Sequence, residues 1–256
     1  MALNISDLSI TYPTKDGELL ACENISLRVE PGEFVTVIGP SGCGKSTLLH
    51  VMGGMLKPTR GAVDLDGVPV TQPDPRKAAF VFQDYSLLPW KTVIENVELG
   101  LIFAGVSRRT ARQTAAEKLA TVGLSEFAGA RPRQLSGGMQ QRVAVARALA
   151  MEPAYLLMDE PFGALDEQTR RSLGADLGQR LTATGQGVVL ITHSLEEAIY
   201  WADRIVVLSA RPGRVLTEIR VAETRPRSLD FMTTPEFAGI RAELFSLIQP
   251  SRRVTA

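Results

Sequence analysis

The apolar positions of the chain follow two different patterns. Segments 25–30 (ISLRVE) and 62–67 (AVDLDG) alternate apolar and polar residues, and the second ends in an Asp-Gly turn. Such alternation predicts strands with one face in water, which are typically antiparallel. Four other segments are almost continuously apolar and predict strands covered on both faces by helices. These are FVTVIG (34–39), YLLMD (155–159), GVVLIT (187–192) and RIVVL (204–208).

Two segments outside these strands are predicted to be helices. The first begins at Ser107, a residue type that caps helices, and stops near Gly123. The second spaces its large apolar residues on one helical face, namely Phe237, Ile240, Leu244 and Ile248. The pattern as a whole predicts a mixed α/β core with an inserted helical part at about 90–150. We expect the main domain to span 1–221 and a helical tail to span 222–256.

Composition and charge narrow the class of protein. The 256 residues include 28 basic and 28 acidic side chains, and this balance argues against a nucleic-acid binder that works through a broad basic field. We therefore expect no nucleic-acid partner. Two cysteines, Cys22 and Cys43, favour a reducing compartment over a disulfide framework. No apolar run reaches the roughly 18 residues of a membrane span, so a membrane role is expected to act through partners.

Residues 39–46 have the form G-x-x-x-x-G-K-S and follow a predicted strand directly. Gly39, Gly42 and Gly44 allow a tight turn in which backbone amides point inward at phosphate oxygens. The helix that follows adds its positive end. A strand, a glycine-rich loop and a helix in this order predict a site for nucleotide phosphates. The Cys43 thiol is interpreted as a bystander in this loop.

Side chains in and beyond the loop supply the other groups that phosphoryl chemistry needs. Lys45 provides a mobile charge for the terminal phosphates, Ser46 a hydroxyl for magnesium and Thr47 a second polar contact. Asp159 ends a buried strand, where its carboxylate can hold magnesium directly or through water. Glu160 follows at once and is a candidate to orient or deprotonate the attacking water.

His193 ends the next apolar run, at the sheet edge where ligands of α/β proteins gather. A neutral imidazole there is placed to contact a terminal phosphate oxygen or the attacking water. The other histidine, His50, falls within the helix after the phosphate loop and is interpreted as a packing or surface residue.

Residues 135–150 (LSGGMQQRVAVARALA) form a second candidate anion site. Ser136, Gly137 and Gly138 place a hydroxyl and two bare backbone units ahead of a helix, as in the phosphate loop. Since one nucleotide needs one such loop, we expect the second to serve the nucleotide of a neighbouring copy. The alternative is an ordinary capped helix.

Taken together, these motifs resemble the ATP-binding subunit of an ABC transporter, in the family's order and over nearly the whole chain. The resemblance implies an ABC-type P-loop ATPase domain with a mixed central sheet, an antiparallel β subdomain and an inserted helical subdomain. It implies ATP and Mg²⁺ as ligands. The residues that match the family's Walker A loop are Gly39, Pro40, Ser41, Gly42, Cys43, Gly44, Lys45, Ser46 and Thr47.

The resemblance also assigns roles outside the loop. Tyr12 is expected to stack on adenine, with an ordinary strand aromatic as the alternative. Gln83 is expected to sense magnesium and water, with a plain surface amide as the alternative. Asp166, in GALD, is expected to cross the dimer, unless it only caps a helix. The motifs already described match as follows: residues 135–140 with the signature, Asp159 as a magnesium ligand with Ser46 and Gln83, Glu160 as catalytic base, and His193 as switch histidine.

Two positions depart mildly from the family pattern. The signature reads LSGGM where LSGGQ is commoner, and Ser194 replaces the usual aspartate after the histidine. Neither change removes a phosphate contact, so hydrolysis is still expected. On the same resemblance, Gln83 and Lys45 are grouped with Glu160 and His193 as the expected catalytic residues.

The segment LLPW (87–90) places four bulky residues on a predicted surface loop, which suggests a docking patch, with local packing as the alternative. It resembles the nitrate, sulfonate and taurine importer group, as does LSARPGRVLTEI (208–219). The implied protein is the ATP-hydrolysing subunit of a membrane importer for nitrate, aliphatic sulfonate or taurine-like solutes. The implied assembly is a homodimer bound to transmembrane permease subunits, with a separate solute-binding protein, on the cytoplasmic face of the inner cell membrane.

Two other classes stay open at this level. One is a soluble ABC ATPase without transport, such as a cluster-assembly ATPase, which a chain of this size and layout can also be. The other is the ATPase of an exporter with separate membrane subunits. The LLPW loop is the main feature that favours an importer over both.

Overall fold

The computed structural model describes residues 2–15, 17–163 and 185–248. Its strands are β1 (Leu3–Thr14), β2 (Gly17–Val29), β3 (Phe34–Ile38), β4 (Arg60–Leu65), β5 (Val68–Pro69), β6 (Ala78–Val81), β7 (Tyr155–Asp159), β8 (Gly187–Ile191), β9 (Arg204–Leu208) and β10 (Val215–Arg220). Its α-helices are α1 (Lys45–Met52), α2 (Val93–Phe103), α3 (Arg108–Thr121), α4 (Gly137–Ala150), α5 (Leu195–Trp201) and α6 (Pro235–Ile248). Short 3₁₀ turns occupy Ser125–Phe127, Pro132–Gln134 and Leu229–Thr233.

The strands of the described residues form two sheets. One has the order β2-β1-β4-β5 and is antiparallel. The other has the order β10-β9-β3-β8-β7-β6, in which β10 alone runs antiparallel to its neighbour, so the central sheet is mixed. The two alternating segments lie in β2 and β4, and the four continuous apolar segments are β3, β7, β8 and β9. Both strand predictions are confirmed.

Parallel pairing collects the ends of four strands at one edge of the central sheet. In β7 and β8, Asp159 lies opposite Ile191 in the ladder. The chain leaves β3 into the glycine-rich loop, β6 towards Gln83, β7 into Glu160 and β8 towards His193. Because these strands run the same way, residues far apart in sequence meet there, as ligand-binding residues do in other open α/β sheets.

Helices α2, α3 and α4 pack together over an apolar cluster and form the predicted helical part. The Ser107 hydroxyl accepts a bond from the Thr110 amide and caps α3, which ends just before Gly123, a glycine with a φ of 71°. The predicted helix is therefore confirmed. In α2, Thr92 and Glu95 form a reciprocal capping box that fixes the start of the helix.

Helix α6 packs on the central sheet through the predicted face. Phe237 and Leu244 are buried in a cluster with residues of β9, and Ile240 and Ile248 pack against it. The division at residue 221 stays a prediction.

In the described part of the chain, no helix combines the length and the apolar character that crossing a bilayer requires.

The hydroxyl of Tyr155 ties the two sheets together. It lies in the buried first position of β7, accepts a bond from the Leu3 amide at 3.1 Å and donates to the Val29 carbonyl at 2.8 Å. Burial raises the pKa of this phenol to about 12. A Cβ at Gly187 would overlap the ring, so glycine is needed on the neighbouring strand.

We expect Tyr155→Phe to lower the free energy of unfolding by about 1–3 kcal/mol, because two buried backbone groups lose their partner. Tyr85→Phe is the matched control, since its enclosed hydroxyl has no hydrogen-bond partner among the described residues. Urea unfolding of both variants checks the comparison. Equal losses would show that the Tyr155 hydroxyl does not join the sheets.

Candidate nucleotide site

The phosphate loop needs glycine for two different reasons. Gly42 and Gly44 have φ angles of 74° and 95°, in the left-handed region that favours glycine. Gly39 lacks this conformation, but a Cβ there would lie 2.9 Å from the Leu208 carbonyl oxygen. Gly44 precedes α1 with no side-chain cap, so the first amides of the helix stay free to face an anion.

The two thiols lie behind the loop. Cys22 and Cys43 are both fully buried, and the Cys22 Sγ lies 3.5 Å from the Gly44 carbonyl. Burial raises the pKa of Cys22 to about 12 and also raises that of Cys43. Both thiols therefore stay protonated near neutral pH and are poor nucleophiles, in line with a packing role.

Lys45 folds back over its own loop. Its Nζ donates to the carbonyls of Gly39 at 2.9 Å and Pro40 at 3.1 Å, and the side chain is buried. These bonds hold the ammonium within the turn that the glycines form. Ser46 is exposed in the first turn of α1, and Ser41 is exposed in the loop.

Tyr12 lies beside the start of α1. Its hydroxyl is 3.1 Å from the Thr47 Oγ1, and the ring is half-buried near the end of β1. The ring thus borders the phosphate loop. Its stacking on adenine stays a prediction.

Glu160 lies at the centre of a three-residue cluster. The Gln83 Nε2 is 3.4 Å from its Oε2, and the His193 Nε2 contacts its Oε1. Glu160 has a φ of 44°, an unfavourable conformation for a residue with a side chain. Its amide donates to the Ile191 carbonyl at 2.9 Å, which fixes the turn after β7.

The family departure after His193 has a structural role. The Ser194 hydroxyl accepts a bond from the Glu197 amide and caps α5, as an aspartate would. The other histidine, His50, lies in α1 with its ring centroid 6.0 Å from that of Phe80, a packing contact as predicted.

The residues predicted to hold magnesium are oxygen donors near the same sheet edge. Asp159 ends β7, Gln83 follows β6, and Ser46 opens α1. Hydroxyl, amide and carboxylate oxygens are the ligands that Mg²⁺ takes, and it commonly uses one or two carboxylates together with substrate phosphates. The donor set therefore fits Mg²⁺ bound with a nucleotide.

The second candidate anion site is the start of α4. The Ser136 hydroxyl accepts from the Met139 amide at 3.3 Å, so it caps the helix, while Ser136 and Gly137 are exposed. In the described part of the chain, no hydrogen bond joins these residues to the phosphate loop. Asp166 lies outside the described residues.

The LLPW segment is both packed and exposed. Leu87 packs against two core clusters, whereas Trp90 is 68% exposed. The buried Asn96 of α2 shapes the loop, because it accepts from the Leu88 amide at 2.7 Å and donates to the Thr92 carbonyl at 2.9 Å. This role of Asn96 was not predicted from the sequence, although a lone polar residue on an apolar helix face could have indicated it.

An open groove of about 360 Å³ separates the helical part from the central sheet. Phe103 at its rim is 82% exposed. Other apolar walls come from both sides of the groove and include Met55, Phe80, Phe82, Leu99 and Met151.

Residues 22–163 match a family model described as ABC transporter. The chain belongs to the ABC transporter family. It is 45% identical over 258 residues to the nitrate import ATP-binding protein NrtD of Synechocystis sp. This alignment covers 97% of this chain and 96% of that protein. It is 49% identical over 209 residues to the taurine import ATP-binding protein TauB of Burkholderia pseudomallei. This alignment covers 82% of this chain and 80% of that protein.

Solved structures agree with this assignment. The dimeric bacterial ABC transporter cassette MJ0796 has a TM-score of 0.77 and 38% identity, and covers 87% of this chain and 100% of its own. A dimeric post-hydrolysis state of MJ0796 bound to ADP and Pi has a TM-score of 0.76, 37% identity and the same coverage. The predicted fold class is confirmed, and the chain is an ATP-binding ATPase of this family.

Proposed function

We propose that this chain powers a membrane importer by hydrolysing Mg²⁺-bound ATP, with nitrate or a taurine-like sulfonate as the solute class. The observation that carries the hydrolytic part is the position of Glu160 between Gln83 and His193, at the edge that also holds the phosphate loop. The solute class is supported by the relatives named for nitrate and taurine import.

The loop from Gly39 to Thr47 binds the phosphates, and Tyr12 binds the adenine face. Lys45 exchanges its two carbonyl partners for the terminal phosphates when ATP enters. Ser46, Gln83 and Asp159 would hold Mg²⁺, which neutralises charge on the phosphate oxygens.

Glu160 is the base for the attacking water. The water oxygen forms a bond to the γ-phosphorus, its proton passes to a Glu160 carboxylate oxygen, and the bond to the β-γ bridging oxygen breaks to release ADP and phosphate. Gln83 and His193 orient the carboxylate through their contacts with its two oxygens. When ATP is bound, the N–H of His193 is available to a γ-phosphate oxygen in place of Glu160, where it stabilises the developing charge.

Two copies complete each site. Ser136 and Gly137 are exposed at the start of α4 and make no hydrogen bond to their own phosphate loop in the described residues, so they are available to a neighbour, with the buried Gly138 directly behind them. The dimeric MJ0796 structures support a homodimer. Asp166 is proposed to cross the same interface.

The apolar groove receives the permease. Its walls belong to both the helical part and the central sheet, and they include Ser86, the residue directly before the LLPW segment. A short apolar element of the membrane subunit docked here would push on both parts at once. We propose that the chain lies peripherally on the cytoplasmic face of the inner cell membrane, with a solute-binding protein on the other side of the membrane.

We expect Glu160→Gln to bind ATP normally but to lower kcat at least 100-fold, because the amide keeps the side chain's shape and cannot take the proton. Dimers with trapped ATP should accumulate on size exclusion. The measurement is steady-state phosphate release alongside nucleotide binding. Retained hydrolysis would remove Glu160 from the role of base.

We expect Ser136→Ala to lower hydrolysis about tenfold while a single chain still binds ATP, because the lost contact serves the partner's nucleotide. Ser107→Ala is the matched control, since it also removes a serine cap from a helix of the same part. Both changes cost about 1 kcal/mol of helix capping. Equal activity of the two variants would favour the plain capped helix.

We expect Phe103→Asp to abolish co-purification of a polytopic membrane protein with the tagged chain, while ATP hydrolysis by the chain alone persists. A charge in the groove opposes apolar docking. Phe245→Asp, at a 59% exposed position on α6, is the control. If the unaltered chain from native membranes brings down only soluble partners, the non-transport ATPase is correct instead.

A further inference from the structure

Arg147, near the end of α4, holds the segment that follows Gln83. Its Nη1 donates to the Ser86 carbonyl at 2.6 Å and its Nη2 to the Tyr85 carbonyl at 2.7 Å. The side chain is half-buried, and this burial lowers the pKa of the guanidinium, although an arginine remains charged at neutral pH. Two charge-assisted bonds from one planar group fix both the position and the orientation of the segment.

The segment needs such a restraint. Tyr85 and Ser86 have φ angles of 54° and 48°, and neither is a glycine. A conformation of this kind is strained in a residue with a side chain and persists only where its surroundings impose it. Arg147 provides that restraint, since it binds the carbonyls of both strained residues.

The same segment also lies close to the N-terminal end of α4. The Tyr85 hydroxyl is enclosed, and a Cβ at Gly137 would lie only 3.7 Å from it. The Tyr85 residue therefore lies along the helix, with its carbonyl held by Arg147 and its ring tip beside the signature glycine. The segment is thus held to α4 at one end of the helix and lies beside it at the other.

The segment leads in one direction to the base and in the other to the groove. Gln83 lies two residues before Tyr85 and contacts Glu160. Arg147 and Ser86 themselves line the apolar groove, together with Phe103. One guanidinium thus connects the groove wall, α4 and the loop that holds the catalytic amide.

We propose that Arg147 is a positioning residue for hydrolysis, which locks residues 83–86 to α4 so that movement of the helix sets the distance between Gln83 and Glu160. This rests on the proposed function, in which the groove is occupied by the permease. The alternative is a plain cross-link that stabilises the fold and does nothing for the base.

The test uses the full chain with Arg147→Ala and Arg147→Lys. Arg112→Ala is the matched control, because Arg112 lies in the same helical part and pairs with Glu98 at 3.5 Å, away from the loop. Three quantities are measured: ATP bound per chain, kcat and KM for ATP, and amide hydrogen exchange of peptides across residues 82–88. The first separates loss of folded chain from loss of turnover.

We expect Arg147→Ala to bind one ATP per chain with unchanged KM, to lower kcat about tenfold and to speed exchange in 82–88 about tenfold. Arg147→Lys should recover part of both effects, because an ammonium cannot hold two carbonyls in the same fixed geometry. Arg112→Ala should leave kcat and local exchange unchanged. If Arg147→Ala does not fold, Arg147→Lys alone decides.

Faster local exchange with normal kcat, or lower kcat with unchanged local exchange, would overturn the proposal. An unaltered chain that fails to hydrolyse ATP would refute the proposed function as well. An active unaltered chain whose Arg147 and Arg112 variants behave alike would refute the positioning role alone.

Discussion

The hydrogen bond from the Glu160 amide to the Ile191 carbonyl, 2.9 Å long, is the contact on which the site depends. It continues the parallel register of β7 and β8 one residue past the strand and holds Glu160 at a φ of 44°. That conformation turns the carboxylate towards Gln83 from β6 and His193 from β8. A shift of one residue in the ladder would turn each side chain of the strand to the opposite face of the sheet, so the register of the buried apolar strands determines the position of the site residues as well as the stability.

The phosphate loop was predictable from sequence because its parts are contiguous. Residues 39–46 need only their own spacing, a preceding strand and a following helix. The strands were predictable for a similar reason, since continuous and alternating apolar runs distinguish the central sheet from the antiparallel one. Gly39 was predicted to be needed for a tight turn, whereas the structure requires it because the Leu208 carbonyl approaches closely. Leu208 lies on a strand far along the chain, so this approach cannot be inferred from a local pattern.

Residues whose partners are distant backbone groups were not predictable. In the sequence, Tyr155 was only one more apolar position of a predicted strand. Its hydroxyl nevertheless joins two sheets by bonding residues that are more than a hundred positions away in the sequence. Asn96 and Arg147 lie in helices whose periodicity says nothing about the loop carbonyls they bind. Gln83 and Glu160, 77 residues apart, were linked by a family resemblance together with the rule that parallel strands share an edge.

Helix α4 is constrained from both ends, and this has a mechanical consequence. Its first turn is capped by the exposed Ser136, while its last turn holds Tyr85 and Ser86 through Arg147. Its middle is buried against α2 and α3, with Val143 and Ala146 fully enclosed. A helix held in this way moves as a rigid body, because close packing leaves no room for bending along its length. Its two ends therefore move together, so that under the proposed function a push in the groove would reach both the partner's nucleotide and the chain's own base.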